Sequence, residues 1–113
     1  MAAHLRGEVW HADLDPTRGH EQGGSRPVLA VSISGFNEGS SGLVSVVPIT
    51  SRNRRLLMHV RIAPPEGGLK SESFAMCENL RSASLERLGR RWGSVSSETM
   101  ARVERRLRIL LGL

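Results

Sequence analysis

Between residues 7 and 95 every apolar stretch is cut off by glycine, proline or a polar turn before it grows longer than one short strand. GEVWHADL (7–14) alternates and sets Trp10, Ala12 and Leu14 on one face, the period of a half-buried strand. RPVLAVSIS (26–34) is apolar almost throughout and rich in β-branched residues, so it reads as a strand buried on both faces. LVSVVPIT (43–50) is a third strand, whose Pro48 marks a strand end, a bulge or an edge. MHVRI (58–62) alternates with Met58, Val60 and Ile62 inward, FAMCENLRSAS (74–84) opens as a strand, and LERLGRRWGSV (85–95) holds a turn and a last short strand. Between them DPTRGHEQGGS (15–25), FNEGSSG (36–42), SRNRRLL (51–57) and APPEGGLKSES (63–73) read as loops. About six short strands joined in this way predict a mainly β chain, a small barrel or sandwich.

The last segment changes period. SSETMARVERRLRILLG (96–112) begins with a serine N-cap and Glu98 in the first turn, then places Met100, Val103, Leu107, Leu110 and Leu111 on one stripe. Glu98–Arg102 and Glu104–Arg108 are spaced as i,i+4 pairs on the outer face. This is one amphipathic helix closing the barrel, and no chemistry is assigned to it. The whole chain, residues 1–113, reads as a single domain.

Aromatic residues make up only 4% of the sequence, so the core must rest on Val, Leu, Ile, Ala and Met. Cys77 is the single cysteine, which excludes an internal disulfide and suits a reducing, cytoplasmic setting. No segment has the pattern of a secretion signal or the length of a membrane span, so no membrane partner is expected. Net charge is +5, and every basic side chain except Lys70 is arginine. Arginine suits phosphate because its planar fork makes paired hydrogen bonds; a GC-rich genome explains much of the same bias. The charge points to an anionic partner without naming it.

Candidate chemistry is sparse. His4, His11, His20 and His59 have no ligand spacing and Cys77 stands alone, so no metal site and no cofactor are expected. No glycine-rich nucleotide loop precedes a helix, and no Ser-His-Asp arrangement stands out. Arg26, Thr50, His20, Glu21 and Glu78 remain. Arg26 precedes Pro27, which favours an extended backbone there and a fixed origin for its side chain. If the second and third strands pair as a hairpin, Arg26 begins one and Thr50 ends the other, which sets a guanidinium beside a hydroxyl in a plausible phosphate clamp. Plainer explanations exist: a salt bridge for Arg26, a turn cap for Thr50, solvation for His20, and pairing with Arg81 or Arg61 for Glu78.

RGEVWHADLDPTRGHEQGGSRPVLAVS, then LVSVVPITS, then GGLKSESFAMCENLRSAS with RLG and a closing helix, resembles the MazF/PemK (Kid) toxins of bacterial toxin–antitoxin systems. The likeness covers essentially the whole chain in order. The DPTRG-HEQGG-RPV block is highly specific, the VPITS block moderately so, and the helix not at all. The resemblance implies an SH3-like barrel that forms a homodimer and acts as a metal-independent endoribonuclease on short sequences in single-stranded RNA. Attack by the 2′-hydroxyl would give 2′,3′-cyclic phosphate and 5′-hydroxyl ends, and a cognate antitoxin would cover the RNA groove. It implies Arg26 and Thr50 as the main catalytic pair, with His20, Glu21 and Glu78 as further candidates. Gln22, Ser51, Arg52, Arg54 and Arg81 are the expected RNA contacts. The Kid branch has an arginine two positions before its acidic residue, an aspartate; this chain has Met76 and Glu78 there.

Two rival readings belong to other classes. One is a gyrase poison like the CcdB toxins, which share the fold but act through C-terminal residues; this chain ends RILLGL without a matching tip. The other is a basic RNA-binding module with no activity.

Overall fold

A computed structural model describes residues 6–14 and 24–113. Seven strands form one antiparallel sheet: β1 (Glu8–Asp13), β2 (Ser25–Ala30), β3 (Leu43–Thr50), β4 (His59–Ile62), β5 (Ser73–Met76), β6 (Arg81–Ser84) and β7 (Leu88–Ser94). Their order is β4-β5-β3-β2-β1-β7, with β6 also paired to β3. A single helical turn, α1 (Ser34–Asn37), occupies part of the segment expected to be loop, and α2 (Ser97–Leu111) closes the chain.

The segment 74–84, expected to open as a strand, contributes two, which accounts for seven strands rather than about six. A 3₁₀ turn at Cys77–Asn79 separates them. β5 pairs with Ile49 and Thr50, whereas β6 pairs with Leu43 to Val46. Pro48 lies at this handover, inside β3 rather than at an end or edge. Val31 N–H donates to the Ser45 carbonyl, so alternate residues Ser45 and Val47 bond toward β2 and the Pro48 nitrogen faces the other side. A residue without N–H therefore sits where the ladder is interrupted in any case.

β2 ends at Ala30 rather than running to residue 34, and its second half, with Val31 beyond it, is buried on both faces as expected, whereas Ser25–Pro27 are not buried. Leu29 and Val31 join Val9, Val47, Ile49, Ile62 and the α2 residues Met100 and Val103 in one core. Val28 and Ala30 join Ala12, Leu14, Val44, Val46 and Ala83 in a second, against which Trp10 packs. Truncating a fully buried leucine such as Leu29 to alanine costs about 2–5 kcal/mol.

α2 begins as its sequence specifies: the Ser96 hydroxyl accepts the Thr99 N–H at 3.1 Å. Gly112, at φ 71°, ends the helix in the left-handed conformation. The apolar stripe is shorter than expected, because Leu107 is the last residue on the core while Leu110 and Leu111 are exposed. The outer-face pairing also differs. Glu104 binds Arg6 at 2.7 Å rather than Arg108, and Arg102 donates to the Thr99 hydroxyl rather than pairing with Glu98.

Candidate functional site

A groove of about 760 Å³ crosses the ends of the central strands. Its floor is the start of β2 (Ser25, Arg26, Pro27) and the end of β3 with the next residue (Ile49, Thr50, Ser51). The register explains the meeting. Val28 lies opposite Pro48 and Leu29 opposite Val47; carried two residues further, it sets Arg26 against Thr50. The hairpin expectation is met, and both residues line the groove half-buried. The Thr50 Oγ1 accepts the Arg52 N–H at 3.2 Å, the turn cap foreseen as its plainer role, and the hydroxyl proton is still available to donate.

Two walls rise from this floor. One is the segment Gly68–Ser71 with Ser73; the other is His11 of β1 with Arg90, Arg91 and Trp92 of β7. Arg26, Lys70, Arg90 and Arg91 are all cationic, and among the described residues no Asp or Glu lines the groove. Arg91 is held by Glu8, its Nε 2.9 Å from Oε2, and donates to the Ser94 hydroxyl at 2.9 Å. Beside it the His11 and Trp92 rings stack, centroids 5.7 Å apart and planes 16° from parallel. A concave surface with four cations, several hydroxyls and a stacked aromatic pair is chemically suited to an anion that also carries flat rings.

The other expected site residues fall elsewhere. His20, Glu21 and Gln22 lie outside the described residues. Ser51 lines the groove, while Arg52 and Arg54 are exposed in the segment beyond it. Arg81 is not in the lining; its Nη1 donates to the Leu14 carbonyl at 3.5 Å. Glu78 is also away from the groove. Its partner is neither Arg81 nor Arg61 but His59, whose Nε2 lies 2.7 Å from Oε2, and Asn79 donates to the same oxygen at 3.3 Å. Arg61 pairs instead with Glu72. Burial, reinforced by the Glu78 charge, pushes the neighbouring Cys77 thiol up to about 12, so it stays protonated and is no nucleophile at neutral pH.

His11, Lys70, Arg90, Arg91 and Trp92 are among the groove residues not singled out by sequence. The signal for the last three was GRRWG (89–93), paired arginines beside a tryptophan and bracketed by glycines. Among the described residues no group of three His, Cys, Asp or Glu side chains is placed to hold a metal ion, and no helix is long and apolar enough to cross a membrane.

Fold and groove together define a small β protein with a basic, aromatic-lined cleft. The family model of PemK-like, MazF-like toxins of type II toxin–antitoxin systems matches residues 5–111, and the chain belongs to that family. It is 35% identical over 113 residues to the endoribonuclease MazF9 of Mycobacterium tuberculosis, with 96% of each chain covered. Among solved structures it resembles MazF from Deinococcus radiodurans, with a TM-score of 0.87, 27% identity and all of both chains covered. It also resembles a mycobacterial endoribonuclease solved in complex with its cognate antitoxin, with a TM-score of 0.78, 27% identity, and 100% and 97% of the two chains covered. The mainly β barrel with a C-terminal helix is the architecture of this family.

Proposed function

We propose that this toxin is an endoribonuclease that cleaves single-stranded RNA in the groove between Arg26, Thr50 and the Arg90–Trp92 wall, without a metal ion. The observation that carries the reading is the pairing of β2 with β3, which sets a guanidinium and a hydroxyl together on a cationic groove. The 2′-oxygen attacks the adjacent phosphorus as its proton passes to a base; the bond from phosphorus to the 5′-oxygen then breaks and that oxygen takes up a proton. The products are a 2′,3′-cyclic phosphate and a 5′-hydroxyl. A guanidinium stays protonated and is a poor proton carrier, so Arg26 stabilises charge on the five-coordinate phosphorus. Thr50 positions a phosphate oxygen through its free proton. The base is one of His20, Glu21 and Glu78; of these Glu78 is engaged by His59 and is not among the residues lining the groove. Ser51, Arg52, Arg54 and Gln22 extend the RNA contacts. A cognate antitoxin would neutralise the enzyme by covering this groove, the toxin would act in the cytoplasm, and it would work as a homodimer.

Incubation of the pure protein with mixed-sequence RNA in EDTA tests the reading. Defined fragments with 5′-hydroxyl and 2′,3′-cyclic phosphate ends are expected. Cleavage that stops in chelator and returns with a divalent ion would overturn metal independence. Intact RNA with inhibited gyrase would favour the poison, and RNA binding alone the inactive module.

A further inference from the structure

We infer that Trp92, backed by His11, is a base-stacking platform that holds one nucleobase of the RNA beside the reacting phosphate; this rests on the endoribonuclease reading above. Three independent features fix Trp92 in place. The first is strand register. Val9 pairs with Gly93 and Trp10 with Arg91, so one step along β1 answers two along β7, and Trp92 is the extra residue. A bulge of this kind turns its side chain out of the regular ladder, a device found beside functional sites.

The second feature is backbone contact. A Cβ on Gly68 would lie 2.2 Å from the Trp92 carbonyl oxygen, and a Cβ on Gly93 would lie 2.8 Å from Gly67. Only glycines allow the Gly67–Gly68 turn to press on the bulge, and the bulge is thereby anchored through its main chain rather than through the indole. The third feature is the stack itself: one indole face rests on the His11 imidazole. His11 is positioned by β1 pairing opposite Pro27, the neighbour of Arg26. Trp92 still keeps 38% of its surface exposed and lines the groove.

Trp92 thus presents a partly exposed aromatic ring on the wall of the groove. The flanking charges select what covers it. Arg90, Arg91 and Lys70 favour a chain of phosphates, and a flat π-face favours a base. Stacking accepts any base, so Trp92 contributes affinity and register more than identity.

The test compares wild type with Trp92→Ala and Trp92→Phe on a short RNA containing a cleavage site mapped for the wild type, and on the same RNA with single abasic positions. Thermal unfolding is measured on each preparation. Trp92→Ala is expected to raise KM roughly five- to a hundred-fold, the range seen for losing one stacked base, with the effect in KM rather than kcat. Trp92→Phe should recover most of it. One abasic position should cost the wild type the same factor and cost Trp92→Ala nothing further. If Trp92→Ala does not fold, the same coupling is read with Trp92→Phe and with His11→Ala. An unchanged KM in a folded variant, or an equal loss of binding to a baseless sugar-phosphate polymer, would overturn the platform while leaving the endoribonuclease reading intact. So would an unchanged KM accompanied by weaker binding of an acidic, aromatic-bearing peptide. Wild-type protein that neither binds nor cuts RNA would overturn both.

Discussion

The Thr50 hydroxyl already accepts one hydrogen bond, from Arg52, so its donor capacity is what remains for substrate. Removing a hydrogen bond to a charged group costs about 1.5–3 kcal/mol. Thr50→Ala should therefore slow single-turnover cleavage about ten- to a hundred-fold, while Thr50→Ser stays within a few-fold. If Thr50 only caps its turn, both variants would keep wild-type rates per folded molecule, and that comparison decides its role. Arg26 and Thr50 were legible in sequence because each sits at a strand terminus marked by a proline, in RPV and PIT. Trp92 was not legible as a groove residue, because its orientation comes from an unequal step between β1 and β7. Glu78 illustrates the same limit: its partner His59 belongs to another strand and alternates away from Val60 and Ile62.

At the scale of elements, the turn Glu66–Gly68 ties the helix to the groove. Glu66 Oε2 accepts the Ser96 N–H at 2.8 Å, at the start of α2, and the next two residues press on β7. Burial alone would raise the Glu66 pKa, but hydrogen bonds from Thr99 and Ser96, with the charge of Arg102, outweigh it and hold the carboxyl below its ordinary value. The folded state thus binds its proton less readily than the unfolded chain. Its stabilisation is complete above the ordinary glutamate pKa of about 4.3 and is lost as pH falls through the lower folded value. Melting temperatures of wild type and Glu66→Gln should differ at pH 6 and converge as pH falls through the lowered folded-state value. A difference independent of pH would show that the charge of Glu66 contributes nothing. The helix start was readable because Ser96 caps it locally; the link to Glu66, thirty residues away, was not. The division of residues 74–84 into β5 and β6 was hidden for a related reason. Glu78 and Asn79 interrupt the apolar pattern there, but which part of β3 each half joins is set by the sheet.

Among the described residues, apolar side chains at the end of α2 and in the segment before β4 are exposed. Arg106 Nε donates to the Leu57 carbonyl at 2.6 Å, which brings the exposed pair Leu56 and Leu57 alongside the last turns of α2. Leu57 is 87% exposed, and Ile109, Leu110, Leu111 and Leu113 are exposed nearby in sequence. These side chains give the proposed homodimer apolar surface to bury. Light scattering at micromolar concentration should give a mass near twice 12.4 kDa, and Leu57→Lys should lower it; a wild-type monomer would contradict the dimer. The sequence showed a small barrel with a closing helix, because short strands and turns are local signals. It did not show that four cations from β2, the 68–71 segment and β7 converge, since convergence is a property of the folded sheet.

That convergence matters only if RNA is cut there, and Arg26 is the residue on which fold and chemistry meet. Losing a preorganised charge-stabilising donor costs roughly a hundred- to a thousand-fold in rate. Single-turnover cleavage and thermal unfolding should be measured on the same preparations of wild type, Arg26→Lys and Arg26→Ala. Arg26→Lys keeps the charge without the fork, so it should fold normally, bind RNA within a few-fold and cleave at least about a hundred-fold more slowly. Arg26→Ala should be slower still with little change in melting temperature. A stably folded Arg26→Ala that cleaves at close to the wild-type rate would contradict the assignment of the groove as the site of RNA cleavage.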